Sequence, residues 1–408
     1  MQKNIKTKPS FSLNMIIDLL IPIYFCSVFI FSFNTTENNI ISRLLAFALI
    51  GILAFYALMK KRMLLDKWVG LLLGFLFFCL LSCLWAWDIA VAFSKCVSLF
   101  QIILLAYLIY NYVVSENKLN YLIACLCVAT TFFSIYTVFY FGIEEYFAGL
   151  EDGTRLGMEI ANVNTIGRWS AVGTVINLWL VFYKRKYFCT LLMTVCGLVT
   201  IGSGSRTAIV ALVCGIVFML ITDSEKKKRK QGFVLLVVLL AIMVILIQLP
   251  LFESVRDRFE IMFETFRGEH SGGSTDIRMQ LMEAGMQQFL ETPIGGIGIG
   301  NSAVLTDELF NWPTYLHNNY VELLSSVGII GTILYYSCIV GPIIMMLGKK
   351  SRKNKLAVFT ISLLFMEMVC HYGTVIYSDK LTYMIIVIAF ISAGQIKREK
   401  EDNIVENT

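Results

Sequence analysis

His317 is the residue of this sequence best suited to proton transfer, and the polar residues Asn318, Asn319 and Tyr320 follow it. They stand where a long polar stretch meets an apolar one, which predicts the N-terminus of a helix. Asparagine is a preferred helix cap, so the group is also explained by a cap beside a solvated histidine. A histidine near the positive end of a helix has a lowered pKa, and a neutral imidazole can act as a general base. The sequence leaves both interpretations open.

Two arginines are candidates for binding an anion. The segment Gly202-Ser203-Gly204-Ser205-Arg206-Thr207 predicts a tight turn between two helices, with Arg206 at its tip. Backbone N–H groups of glycine and serine can cradle a phosphate there, with the guanidinium supplying charge. Arg278, on a second predicted helix, is the natural partner, because guanidinium suits a bidentate grip on phosphate. An anchoring arginine in a turn and a solvated helix face are the simpler alternatives.

A carboxylate and an imidazole lie one helical turn apart in an apolar stretch, at Glu367 and His371. Ionisable groups inside a membrane are costly and usually functional. They could couple protons to transport, or form a structural Glu–His or Glu–Arg pair that holds helices together.

A glycine-rich run follows Pro293 and has the spacing G-x-G-x-G, with no strand before it, so it does not predict a dinucleotide site. We expect a turn that lets backbone approach a helix or a sugar. The glycines are Gly295, Gly296, Gly298 and Gly300.

The elements that position these residues are membrane spans. The chain has 408 residues, of which 57% are hydrophobic and 15% charged, and a bilayer core needs roughly 20 apolar residues per helix. We predict an all-α polytopic membrane protein with about twelve transmembrane helices. The spans are 12–32, 41–59, 68–87, 91–112, 120–141, 163–183, 187–203, 206–222, 232–250, 318–348, 356–377 and 380–396.

The first apolar run, Phe11 to Phe33, is too long for a signal peptide and lacks a small-residue cleavage site, so it is predicted to be the first span. All eleven cysteines lie in apolar runs and form no C-x-x-C pair. They are expected to be buried hydrophobic residues rather than disulfides or zinc ligands.

The net charge of +5 follows topology and is no sign of nucleic-acid binding. Most of the 34 Lys and Arg residues fall in the two tails and in alternate connections, which predicts that both termini are cytoplasmic. On or near the other side arginine predominates, a bias that chance or phosphate binding would explain. These arginines are Arg43, Arg155, Arg168, Arg206, Arg256, Arg258, Arg267 and Arg278.

Two outward connections are long enough to build a site. We divide the chain into spans 1–9 at residues 1–250 with a smaller outer loop at 142–162, a large extracytoplasmic loop at 251–316, spans 10–12 at 317–396, and a cytoplasmic tail at 397–408. The large loop is predicted to hold one amphipathic helix lying in the membrane interface and a second that begins at Ser274 or Thr275 and continues to about Glu291.

In this order and topology the motifs resemble those of the O-antigen ligase and polysaccharide polymerase superfamily. The resemblance rests on Ser205-Arg206-Thr207 opening a span, on the loop from Ser274 and Arg278 to Pro293-Ile294-Gly295-Gly296-Ile297-Gly298, and on two later segments. These are His317-Asn318-Asn319-Tyr320-Val321-Glu322-Leu323-Leu324 and Gly328-Ile329-Ile330-Gly331.

The resemblance implies a GT-C-like, metal-independent glycosyltransferase of the inverting class, with no cofactor, at the outer face of the bacterial cytoplasmic membrane. Its donor would be a polyprenyl diphosphate-linked oligosaccharide. His317 would take the proton of the acceptor hydroxyl, while Arg206 and Arg278 would hold the leaving diphosphate. Further substrate-binding candidates are Arg155, Asn164, Asn318, Asn319 and Tyr320. The implied partners are membrane lipid and the chain-length regulator and flippase of the same pathway. No nucleic-acid partner is implied.

Within this superfamily we expect a polymerase of O-antigen or capsule that transfers the growing chain onto a new repeat unit. A ligase that moves the glycan to lipid A core, cell wall or protein is the nearest alternative. A transporter or flippase of lipid-linked sugar, with Glu367 and His371 as its coupling pair, is the alternative from another class. A scaffold in an assembly complex would tolerate substitution of all three proposed site residues.

Overall fold

The computed structural model describes residues 12–31, 38–142, 144, 162–223, 225–248, 253–267, 274–348 and 351–405. In these ranges the chain forms helices and no strand, which confirms the predicted all-α class. The described residues form fifteen α-helices and one short 3-10 helix, Ser351–Lys353. These are α1 (Leu13–Ile30), α2 (Asn38–Lys60), α3 (Lys67–Ser82), α4 (Ile89–Ser115), α5 (Leu119–Phe141), α6 (Val163–Lys184), α7 (Cys189–Gly202), α8 (Arg206–Thr222), α9 (Lys226–Gln248), α10 (Glu253–Phe266), α11 (Ser274–Glu291), α12 (Ser302–Phe310), α13 (Asn319–Met346), α14 (Lys355–Gly373) and α15 (Lys380–Val405).

Seven of the helices are long and apolar enough to cross a membrane: α1, α2, α4, α5, α13, α14 and the first part of α15. Three shorter apolar helices, α3, α7 and α8, lie at predicted spans too. The other two predicted spans coincide with α6, which carries Arg168, and with α9, which begins on a run of basic residues. The chain is a multi-pass membrane protein, and the number twelve stays a prediction.

Two predicted spans end earlier than expected, and in both cases a polar side chain binds backbone amides in the segment that follows. α3 ends at Ser82, five residues early, and Asp88 then caps α4 by accepting from the amides of Ala90 at 2.8 Å and Val91 at 3.1 Å. α14 ends at Gly373. Asparagine and aspartate make such bonds in place of helical ones, which hydropathy alone does not register.

α13 is interrupted at Gly328, whose φ of +61° and ψ of −168° are not helical. A broken helix leaves backbone groups that must find other partners, above all in a membrane. The glycine-rich run supplies them, so its prediction as a close approach of backbone to a helix is confirmed. The bonds run from the amide of Ile297 to the carbonyl of Ser325 at 3.0 Å, from Gly298 to Ser326 at 2.9 Å, and from Ile329 to Pro293 at 2.8 Å.

The same run is fastened to the connection between α3 and α4. The indole N–H of Trp85 donates to the carbonyl of Gly295 at 3.1 Å, and the amide of Trp87 donates to the carbonyl of Ile297 at 3.1 Å. Gly296 has a φ of +66°, and a Cβ there would lie 2.4 Å from the carbonyl carbon of Ser326. Only glycine fits this contact.

A buried ion pair joins α6 to α14 in the helical core. Arg168 is 2% exposed and Glu367 is 1% exposed, and the guanidinium donates to both carboxylate oxygens at 3.1 and 2.6 Å. Asp379 and Thr382 complete the network, with oxygens 2.8 and 2.6 Å from the guanidinium. This is the Glu–Arg alternative anticipated from the sequence. It also removes Arg168 from the arginines considered for phosphate binding.

Candidate active site

The turn that precedes Arg206 is bound to α6 by a side-chain hydrogen bond. Ser205 caps α8, its hydroxyl accepting from the amide of Ala208 and donating to Asn164 Oδ1 at 2.9 Å. Gly204 has a φ of +62°, which lets the chain reverse between α7 and α8. Arg206 is therefore the first residue of a capped helix, where the backbone N–H groups of the first turn face outward.

Arg206 also contacts the large loop, since its Nη2 donates to Thr275 Oγ1 at 3.2 Å. Thr275 lies in the first turn of α11, and Arg278 follows one turn later on the same helix. α11 runs from Ser274 to Glu291, as predicted, and α10 from Glu253 to Phe266. The contact brings a span and a loop helix to one place.

Arg206, Arg278 and His317 line one cavity of about 390 Å³ between α8, α11, α14 and the residues before α13. The rest of the lining is mostly apolar. It comprises Thr207, Val210, Thr275, Met279, Met282, Val369, Tyr372 and Gly373. The cavity therefore has two guanidinium groups and an imidazole beside a mostly apolar surface. Such a lining suits a ligand with a charged headgroup and an apolar tail.

His317 is half-buried and held in an unusual backbone conformation with a φ of +56°. Its ring lies 4.2 Å from the ring of Tyr315, and its Nδ1 is buried with no hydrogen-bond partner among the described residues. Burial, assisted by the positive charge of Arg278, lowers the pKa of His317 to about 4. From the sequence we expected the helix end to lower the pKa of His317, whereas in the structure burial is the largest cause. The imidazole is neutral at pH 7 and able to accept a proton.

The three polar residues after His317 brace α13. Asn318 caps the helix by accepting from the amides of Tyr320 and Val321 at 2.9 and 3.2 Å. Asn319 is fully buried and accepts from the amides of Ile376 and Tyr377, at 2.9 and 2.8 Å, which is the bond that ends α14 early. Tyr320 donates to the carbonyl of Met368 at 2.8 Å. All three side chains therefore stabilise the start of α13, directly after His317.

Glu322 is a positioning residue to which the sequence assigned no role. Its carboxylate is 3% exposed, accepts from the amide of Leu316 at 3.0 Å and accepts from the hydroxyl of Ser302. It therefore fixes the backbone immediately before His317. An acid in the apolar run at the start of α13 was the available signal, since a buried carboxylate needs donors. Thr275 and Tyr315 gave no such signal.

The remaining candidates are placed as follows. Asn164 supports the Arg206 turn from α6 and lies outside the lining of the cavity. Arg155 lies outside the described residues. Arg256 pairs with Glu253 at 3.0 Å on the exposed surface of α10. His371 is fully buried among the rings of three tyrosines, 5.5 to 6.0 Å away, and lines neither this cavity nor the Arg168 network.

Residues 188–336 match the model of the O-antigen ligase family. The match extends from α7 to the middle of α13 and includes Arg206, Arg278 and His317, so the resemblance inferred from the motifs is confirmed. No curated protein matches the chain.

Proposed function

We propose, from the membership of residues 188–336 in the O-antigen ligase and polysaccharide polymerase superfamily, that the protein polymerises a bacterial surface polysaccharide. The observation that supports this most directly is the single cavity lined by Arg206, Arg278 and His317. The substrates are polyprenyl diphosphate-linked glycans, and the growing chain moves from its lipid carrier onto a new lipid-linked repeat unit.

The proposed step is a direct displacement at the anomeric carbon. The acceptor hydroxyl forms the new C–O bond as its proton passes to the neutral imidazole of His317. The bond between sugar and diphosphate breaks, and its electron pair leaves with the polyprenyl diphosphate. The proton on His317 then passes to the departing diphosphate or to water, which restores the base. One displacement inverts the sugar configuration.

The two arginines act on the leaving group. Negative charge on the departing phosphate grows as the bond breaks, so guanidinium groups already fixed there stabilise the transition state more than the ground state. The Thr275 hydroxyl and the capped start of α8 hold Arg206 in place before substrate arrives. No step in this scheme is assigned to a metal ion.

The apolar wall of the cavity suits the lipid. Val210, Met279 and Tyr372 are each more than a third exposed, at 43%, 43% and 59%, and lie on the same side as the arginines. A polyprenyl tail on this surface would leave its diphosphate at the cavity. The basic residues of the alternate connections favour an arrangement in which both termini are cytoplasmic and the cavity faces outward, with the regulator and flippase of the pathway as neighbours.

Two other functions predict different products. A ligase uses the same donor and the same arginines but transfers only to a separate acceptor such as lipid A core, cell wall or protein. A transporter of lipid-linked sugar that uses Glu367 and His371 for coupling finds less support, because Glu367 is engaged by Arg168.

The test is in vitro transfer by the purified full chain. A short-chain polyprenyl diphosphate repeat unit is supplied alone, and the products are separated on a gel. A ladder supports the polymerase, whereas transfer that requires a second acceptor identifies a ligase. If His317→Ala makes an undiminished ladder, the assignment of the base is wrong.

A further inference from the structure

A second cavity lies on the other side of the segment that carries His317. It has a volume of about 660 Å³ and is lined by α4, α12, the start of α13 and the turn after α14. It shares no lining residue with the arginine cavity. Tyr315 links the two, because it lines the second cavity while its ring lies 4.2 Å from the ring of His317, which lines the first.

The lining of this cavity is rich in hydroxyl groups and holds one cation. Lys95, from α4, is half-buried, and its ammonium lies 4.9 Å from the centroid of the Tyr377 ring. Glu322 lines the same cavity and attracts the ammonium of Lys95 electrostatically. Within the described part of the chain the two do not come within ion-pair distance, and the Glu322 carboxylate accepts from Ser302 and from the amide of Leu316. The hydroxyl-bearing residues of the lining are Ser94, Ser98, Ser302, Thr314, Tyr315, Tyr377 and Ser378.

We propose that the second cavity binds the acceptor end of the glycan, with Lys95 donating hydrogen bonds to sugar oxygens. This inference rests on the proposed function. In a single displacement the attacking hydroxyl and the leaving diphosphate lie on opposite faces of the reacting sugar. The enzyme therefore needs two binding regions on either side of its base, and the contact between the rings of Tyr315 and His317 lies between the two cavities.

The chemistry of Lys95 suits a saccharide. An ammonium has three rotatable donors, which can follow hydroxyl oxygens in many directions, whereas a planar guanidinium favours the paired oxygens of a phosphate. The arginines line one cavity and the lysine lines the other.

Binding of two probes to the purified full chain distinguishes the two cavities. One is the repeat-unit oligosaccharide released from its lipid diphosphate by mild acid, and the other is undecaprenyl diphosphate without sugar. Lys95→Met should weaken binding of the oligosaccharide at least about tenfold, the loss expected for hydrogen bonds to a charged group. Its affinity for undecaprenyl diphosphate should stay within about twofold, whereas Arg278→Gln should show the reverse pattern.

Two further variants complete the experiment. Lys67→Met is the matched control, because the ammonium of Lys67 also lies over an aromatic ring, 4.3 Å from the centroid of Trp68, but borders neither cavity. It should bind both probes as the wild type does. Ser94→Phe fills the second cavity from an exposed position and should block the oligosaccharide alone, so the test does not depend on Lys95→Met being stable.

Unchanged oligosaccharide binding in Lys95→Met or in Ser94→Phe would overturn the inference. A failure of the proposed function would differ from this. The wild type would fail to bind undecaprenyl diphosphate, Arg278→Gln would bind it normally, or the transfer assay would give no ladder. The oligosaccharide results would still decide whether the second cavity is a saccharide site.

Discussion

Arg206 and Thr275 are joined by a hydrogen bond of 3.2 Å between the guanidinium Nη2 and the hydroxyl Oγ1. The first belongs to a helix of the bundle and the second to a helix of the large loop, so the bond closes the cavity across two parts of the chain. It also orients a cation before substrate binds, which is what stabilisation of a developing charge requires.

Substitution of these two residues should have effects of different size. Arg206→Lys keeps the charge but loses the planar fork, and we expect kcat/KM for glycan transfer to fall by roughly 100-fold, as when one charge-stabilising donor is removed. Thr275→Val removes only the hydroxyl that accepts from Arg206. It should lower kcat/KM by about fivefold, the effect of losing one hydrogen bond. Quantified gel products at several donor concentrations give the values.

Thr194→Val is the matched control for Thr275→Val. The Thr194 hydroxyl also forms one hydrogen bond, to the carbonyl of Thr190 in α7, and lies away from the cavity. Its kcat/KM should equal that of the wild type. Equal losses in the two threonine variants would contradict a specific role for Thr275.

The pH dependence of transfer should report the free base. Because the pKa of His317 is lowered to about 4 by burial and by Arg278, kcat/KM should be level near neutrality and fall only as the pH approaches 4 and the imidazole becomes protonated. Arg278→Gln removes a positive charge that disfavours protonation, so the acidic limb should move to higher pH. Initial rates at low substrate concentration, measured from about pH 4 to about pH 8, test both statements.

The acidic limb of kcat should lie above that of kcat/KM. A bound diphosphate adds negative charge beside His317 and thus raises its pKa in the complex. An acidic limb in kcat/KM near the ordinary histidine value in the wild type, unchanged by Arg278→Gln, would contradict the environment assigned to His317.

The Arg168–Glu367 pair should behave as a structural element. Arg168→Met leaves the buried Glu367 carboxylate without its cation and should lower the free energy of unfolding by about 3–5 kcal/mol. Glu367→Gln leaves Arg168 paired with Asp379 and should lower the free energy of unfolding by a smaller amount. The double variant that combines Arg168→Met with Glu367→Gln should lose less stability than the sum of the two single variants. Thermal unfolding of the purified protein in detergent measures the order of stability.

The transporter alternative makes the opposite prediction for the same pair. A coupling carboxylate can be replaced by an amide without loss of the fold, so Glu367→Gln would then have wild-type stability and no transport. That result would favour the transporter over the polymerase.

The break in α13 gives a prediction about glycine. A Cβ on Gly328 would lie 2.2 Å from the carbonyl oxygen of Ile294, at a φ of +61° that L residues rarely adopt. Gly328→Ala should therefore misfold, seen as a loss of monodisperse protein in size-exclusion chromatography. Gly51→Ala, in a helix where a Cβ meets nothing within 4 Å, should be neutral or stabilising by up to about 1 kcal/mol. Equal yields of the two variants would contradict the strained contact.

The helices could be predicted because a membrane makes length and hydropathy decisive. α8 begins at Arg206 and ends at Thr222, both as predicted, since Ser205 is a typical cap before an apolar run. The end of α14 could not be predicted, because it depends on Asn319, more than fifty positions earlier in the chain. Such bonds are set by tertiary packing and leave no periodic signal.

The site was predictable in its residue types and less so in its environment. Arg206, Arg278 and His317 were identified from motifs, and their common cavity follows from the packing of α11 on α13 and of α8 on α14. The lowered pKa of His317 was expected from a helix end but has burial as its main cause. Arg168 resembled the outward arginines in sequence, and only its contact with Glu367 distinguishes it. Nothing in the sequence pointed to Lys95 beside Tyr377.

The interrupted α13 has a consequence for engineering. Because the amides of Ile297 and Gly298 complete the hydrogen bonds of that helix, the large loop is woven into the bundle at Ser325 and Ser326. A chimera that exchanges the loop between relatives would leave a broken helix without its partners. Specificity would have to be transplanted as one cassette, from α11 through α13, together with the α3–α4 connection that Trp85 and Trp87 provide.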